Sequence, residues 1–125
     1  MNVVDSSAWL EYFANGSNAT FFAGVIEQVD ELVVPTLSLF EVFKRVLQQR
    51  GENDALRAVA VMQQGAVVDL DPGLALRAAR ISVEHRLPMA DSVMFATARA
   101  YEATLWTQDA DFKSLAGVRY RGRKS

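Results

Sequence analysis

The sequence contains no cysteine. That excludes disulfides, thiolate-held metals and thiol nucleophiles together, and it fits a reducing compartment. Histidine occurs once, at His85. Zinc therefore lacks its usual nitrogen and sulfur ligands, and no serine has an imidazole partner for a hydrolase triad. His85 itself, in the polar run VEHRLP, reads as an exposed residue at a helix end. No apolar run approaches the ~18 residues of a membrane span. The opening MNVVDSSAW has no basic leader, and Asp5 interrupts its apolar stretch, so it does not read as a secretory signal. The expectation is a cytoplasmic protein with no membrane partner. Repeats, low-complexity tracts and linkers are also missing.

What is present is a chain of 125 residues, 50% of them hydrophobic. This fits one domain, residues 1–125, able to hide roughly two-thirds of its unfolded surface. The net charge of −2 is unevenly spread. Arg119, Arg121, Arg123 and Lys124 crowd into a basic tail, about residues 119–125, and leave the body acidic. Such a tail either holds phosphate or is a solvated, frayed terminus.

Short valine-rich runs alternate with longer runs of helical period. MNVVD, ELVVP, AVVDL and TLWT read as strands, with VRY as a possible last edge strand. Helices are expected over SSAWLEYFAN, NATFFAGVIEQV, TLSLFEVFKRVLQQR, NDALRAVAVMQQG, DPGLALRAARISVEHR and MADSVMFATARAYEA, punctuated by Asn15-Gly16, Gly51, Gly65 and Pro88. The second of these places Phe22, Val25, Ile26 and Val29 on one face, and Asp71-Pro72 is a good helix opening. Strands alternating with helices predict an α/β fold: three α/β/α layers around a parallel sheet of four or five strands. In such sheets ligands bind beyond the carboxyl ends of the strands, near a switch in strand order.

Two strands deliver acids to that rim. NVV runs into Asp5, and TLWT runs into Asp109 and Asp111. Each acid has an ordinary alternative. Asp5 is a good N-cap, although Ser6 also serves. Glu41 is placed to pair with Lys44 or Arg45 on the helix surface, for only ~0.2–0.5 kcal/mol. Its neighbours Leu39, Phe40, Val42 and Phe43 are apolar, however, so this helix is expected to bury most of its circumference and to hold Glu41 in a cleft. Asp91 in a first helical turn offsets the helix dipole. Asp109 or Asp111 caps the turn DADF, anchored by Phe112.

Together these acids suggest chemistry. Several carboxylates converging in one cleft repel, and either take up protons or need a counterion. The counterion suited to oxygen-only ligands is Mg²⁺ or Mn²⁺. A carboxylate-held ion of this kind grips phosphate oxygens and lowers the pKa of a bound water, which is what phosphodiester hydrolysis needs.

With those residues in view, the chain resembles the PIN domain family, and most of all the VapC toxins of bacterial and archaeal toxin–antitoxin pairs. VVDSSAW resembles the family's opening strand, with Asp5 and Ser7 in the matching positions. VPTLSLFEV resembles the segment that carries its Glu, here Glu41. LPMADSVMFATA is similar to the segment that carries its next Asp, here Asp91. TLWTQDADF resembles its T-x-D-x-D-F signature, here Thr107, Asp109, Asp111 and Phe112. The departures are Trp106, where an aliphatic residue is usual, and Gln108, where a basic one is common. The resemblance implies a metal-dependent endoribonuclease with Asp5, Glu41, Asp91 and Asp109 around Mg²⁺ or Mn²⁺. Ser7 and Thr107 would orient these ligands, and Asp111 would be an outer ligand or, preferably, the turn cap. It further implies a homodimer, an RNA substrate and an antitoxin partner whose segment fills the acidic cleft. Lys44, Arg45 and the tail are candidates to hold the RNA backbone.

Other functions remain open at this level. A PIN ribonuclease of RNA processing would carry the same motifs. A receiver-like phosphoryl-transfer domain would use Asp69, at the end of AVVDL, but the lysine expected after its last strand is missing at TLWTQ. A non-catalytic interaction module on the same fold would have no use for a set of mutually repelling acids.

Overall fold

A computed structural model describes residues 1–123; Lys124 and Ser125 lie outside the described residues. Five strands form one parallel sheet: β1 (Asn2–Val4), β2 (Leu32–Pro35), β3 (Ala66–Val68), β4 (Thr104–Thr107) and β5 (Val118–Tyr120), in the order β3-β2-β1-β4-β5. The chain first moves outward from β1 to β3, then returns to the other side of β1 for β4. The order therefore switches between β1 and β4, where open α/β sheets leave a crevice at the carboxyl ends.

Helices cover both faces, which completes the three layers expected. On one side lie α1 (Ser6–Phe13), α2 (Ala19–Ile26), α3 (Thr36–Arg50) and α4 (Glu52–Met62), packed on Val4, Leu32 and Val34. On the other, α6 (Met89–Ala100) packs on Val3, Val33 and Leu105 through Met94, Phe95 and Ala98. The helix α5 (Pro72–His85) lies against α6, with Leu74 and Ala78 meeting Val93 and Ala96. Alternate valines of one strand thus serve opposite layers, as the period of two requires. Because both faces are dry, the central strands read as continuous apolar runs rather than alternating ones.

Local chemistry sets the element ends. Asp71 Oδ1 accepts the Leu74 N–H at 2.8 Å and Pro72 stands in the first turn, so α5 opens as its sequence suggested. Gly51, at φ 91°, joins α3 to α4 in a conformation that favours glycine. Phe22, Val25 and Ile26 are buried as expected, whereas Val29 falls beyond α2 in a 3₁₀ turn, Val29–Glu31.

Two expectations need correction. The helix α3 does not bury most of its circumference: Ser38, Val42 and Val46 face inward, while Phe40 is 62% and Leu47 42% exposed. The helices flanking α3 cover only one side of it, so apolarity alone did not predict closure. His85 does end α5 but is not exposed. It is partly buried, its ring edge-on to Phe95 with centroids 5.9 Å apart, because α5 lies directly against α6.

Among the described residues no helix is long and apolar enough to cross a membrane.

Candidate functional site

The site forms where β1 and β4 end side by side. The register pairs Val4 with Trp106, so the next residues, Asp5 and Thr107, stand opposite each other. Thr107 Oγ1 donates to Asp5 Oδ2 at 2.9 Å, and Ser7 Oγ donates to the same oxygen at 2.8 Å. Asp5 occupies the N-cap position of α1, yet its carboxylate makes no capping hydrogen bond. Its side chain is committed to the two hydroxyls instead. Burial raises the Asp5 pKa above the usual carboxylate value, the Ser7 and Thr107 hydrogen bonds oppose that rise, and nearby Asp109 adds to it. The Thr107 hydroxyl also accepts the Asp109 N–H at 2.9 Å. One threonine therefore links the acid that follows β1 to the acid that follows β4.

Asp109 has a second task. Its Oδ1 accepts the Asp111 N–H at 2.9 Å and so caps the short 3₁₀ turn Ala110–Phe112, whose Phe112 is fully buried. The cap is thus Asp109, not Asp111, because the acid preceding the turn is the one able to reach its free N–H. Asp111 is exposed, and its carboxylate lies with those of Asp91 and Asp109, one oxygen of each within 4.8 Å of the others.

Asp91 enters from the first turn of α6. Ser92 serves that turn by donating to the Met89 carbonyl at 2.7 Å. The Asp91 carboxyl is half-buried, and its pKa is pushed up to about 8, first by burial and then by Asp109, Asp5 and Asp111. A carboxyl that holds its proton near neutrality among other acids is a site short of positive charge.

Glu41 completes the wall from α3. It forms no ion pair with Lys44 or Arg45 among the described residues; Ser6 Oγ donates to its Oε1 at 2.6 Å. Glu41 lines the same cleft as Asp5, Asp91 and Asp109, a space of about 460 Å³, but stands outside the tight group of Asp91, Asp109 and Asp111. Lys44, Arg45 and Arg123 border the cleft as well. Asp69 does not line it, and is exposed.

The donor set fits a hard divalent cation: carboxylate oxygens only, mutually repelling, two of them reluctant to ionise. Asp91, Asp109 and Asp111 are close enough to share one ion, with Asp5 and Glu41 on the adjoining wall.

Sequence reasoning left four participants without their specific partners. Ser6 appeared only as an alternative cap, and its hold on Glu41 spans 35 residues. Asn18, buried, donates to Gln108 Oε1 at 3.1 Å and to the Gly122 carbonyl at 3.0 Å. Gln108, the residue before Asp109, is buried. Arg123 entered only within the basic tail, which as a whole was a candidate to hold the RNA backbone. An Asn at the start of a helix reads as a cap and carries no signal of partners far along the chain; for Gln108 the departure from a basic residue was the only hint. The other departure, Trp106, packs its ring 5.3 Å from Phe21 and donates through Nε1 to Asn2 Oδ1 at 2.9 Å, a structural part.

The PIN domain family model matches residues 3–118, nearly the whole chain. The chain belongs to the PIN domain family. Among solved structures, a toxin–antitoxin complex from Klebsiella pneumoniae superposes with a TM-score of 0.81 at 18% identity, covering 95% of this chain and 96% of that one. VapC20 of Mycobacterium tuberculosis, described as a sarcin–ricin loop cleaving toxin, gives 0.78 at 18% identity, covering 93% and 95%. A DNA-bound VapBC from Salmonella typhimurium gives 0.73 at 13% identity, covering 97% and 96%. At these identities the likeness is one of PIN fold. Among curated proteins none matches the chain.

Proposed function

We propose that this PIN domain, as a single unit over residues 1–125, is a divalent-metal-dependent endoribonuclease of the VapC toxin type. The observation that carries the reading is the convergence on one cleft of Asp5, Glu41, Asp91 and Asp109 from four separate elements, with no protein cation paired to any of them among the described residues. Bound there, Mg²⁺ or Mn²⁺ would neutralise phosphate charge and supply a water of lowered pKa. Asp91, Asp109 and Asp111 would hold the cation, with Asp5 and Glu41 completing or flanking its shell. Ser7 and Thr107 keep Asp5 in one orientation, and Ser6 does the same for Glu41.

The toxin reading draws support from the solved relatives, several of them toxin–antitoxin complexes, and from a mixed groove of about 260 Å³ that adjoins the acidic cleft at Leu10, lined by Phe13, Val46 and Val61 together with Arg50, Asp54 and Arg57. An antitoxin segment would lie there. The open face of α3, with Phe40 and Leu47, would pack against a second copy in a cytoplasmic homodimer.

The test is purified protein with Mn²⁺ and structured RNAs, with and without chelator. Cleavage that appears with Mn²⁺, stops with chelator and is lost in Asp91→Ala with the fold intact is the expected result. A metal-loaded protein that leaves every RNA whole overturns the reading.

A further inference from the structure

Residues 119–122 of the basic tail are held to the body of the fold. The Arg121 N–H donates to the Thr107 carbonyl at 3.0 Å, which continues the β4–β5 pairing past Tyr120. The Arg121 guanidinium lies 4.3 Å from the Phe21 ring centre. The Gly122 carbonyl accepts from Asn18 Nδ2 at 3.0 Å, and the same amide donates to Gln108 Oε1 at 3.1 Å. Asn18 is 1% exposed. The Tyr120 ring lies over Gly122, its Oη 2.8 Å from where a Cβ would stand. Three contacts thus fix the tail up to the residue before Arg123, and one of them ties it to Gln108, the immediate neighbour of Asp109.

Arg123 then lines the acidic cleft. It is exposed and forms no ion pair among the described residues, despite the acids on the same walls. A cation held beside carboxylates but paired to none of them is placed for an anion from outside. The guanidinium fork suits the two non-bridging oxygens of a phosphate.

We infer that Arg123 is a substrate-gripping residue, binding an RNA phosphate next to the one hydrolysed, and that Asn18 is the positioning residue that delivers it. This rests on the nuclease reading of the acidic cleft.

The experiment is steady-state cleavage of a labelled single-stranded RNA with saturating Mn²⁺ over a salt series, with calorimetric titration of Mn²⁺ alone alongside. Arg123→Ala should raise KM roughly tenfold, leave kcat nearly unchanged and flatten the log–log salt dependence of kcat/KM by about 0.7, the loss of one single-strand phosphate contact. Arg123→Lys should keep the slope. Asn18→Ala, checked for folding by its melting curve, should raise KM in the same direction and add little to Arg123→Ala in the double variant. Mn²⁺ affinity should not fall in Arg123→Ala. An active wild type whose KM and salt slope are unmoved in Arg123→Ala overturns this inference alone. Faster cleavage by Arg123→Ala also overturns it, by making the tail a plug. A wild type inert with Mn²⁺ overturns the nuclease reading and this inference with it.

Discussion

Two tetrapeptides of nearly the same sequence end in aspartate: NVVD at residues 2–5 and AVVD at residues 66–69. Both become parallel strands followed by an acid. Their fates differ completely. In β1 the valines are 0% exposed and Asp5 is 4% exposed, held by two hydroxyls. In β3 Val67 is 39% exposed, and Asp69 stands in solvent outside the cleft. The difference is position in the sheet. β1 has neighbours on both sides and sits at the switch in strand order, whereas β3 is an edge. An acid after a strand becomes part of a site only where the crevice opens and a second strand brings hydroxyls and further acids to it. Among the described residues Asp69 belongs to no cluster of three or more acids, which argues against it as the centre of a receiver-like site.

The sharpest way to break the comparison is to remove each aspartate. Asp5→Ala should lower Mn²⁺-dependent RNA cleavage on the order of 10³-fold, about 4 kcal/mol of barrier, while Asp69→Ala should leave it within about twofold. Equal losses would show that the two strand ends are equivalent. Next in size is the valine pair. Val4→Ala leaves a void in a closed core and should destabilise by about 2 kcal/mol in chemical denaturation, against less than about 0.5 kcal/mol for Val67→Ala.

Thr107→Val keeps the shape of β4 but removes the hydroxyl that joins Asp5 to the Asp109 N–H. It should weaken Mn²⁺ binding by roughly 10–100-fold with the melting temperature little changed. The smallest effect concerns pH. The folded Asp91 pKa of about 8 lies above its unfolded value. The folded state therefore binds the extra proton, and its stabilising contribution is present below about pH 4 and lost as pH rises through 8. Metal-free protein should thus become less stable between those limits, by on the order of 1–2 kcal/mol once solvent screening at this half-exposed group is allowed for. Asp91→Asn should flatten the trend, and Mn²⁺ should reverse it. The melting temperature across pH with and without Mn²⁺ checks both.

Much of the fold was legible because its signals are local. Apolar period, Asp71-Pro72, Gly51 and Pro88 each act within a few residues, and they marked the elements closely. The acids themselves were also legible, since Asp5 and Asp109 follow strands and strand ends in α/β sheets are where sites form. Among their supporting partners, Ser7 and Thr107 were legible only through the family resemblance, since the bond from Thr107 to Asp5 spans 102 residues. The bonds from Ser6 to Glu41 and from Asn18 to Gln108, which span 35 and 90 residues, were not legible at all. The choice between Asp109 and Asp111 as cap depended on a single turn of backbone.

By itself the sequence determined the kinds of element, their order, and the supply of carboxylates without thiols and with one histidine. Only the tertiary structure decided which strand lies beside which, and hence that Asp5 is buried among hydroxyls while Asp69 stands in water. The physical reason is that propensity and capping act along the chain. Burial, charge crowding and hydrogen bonds between distant residues exist only once strand order has brought those residues together.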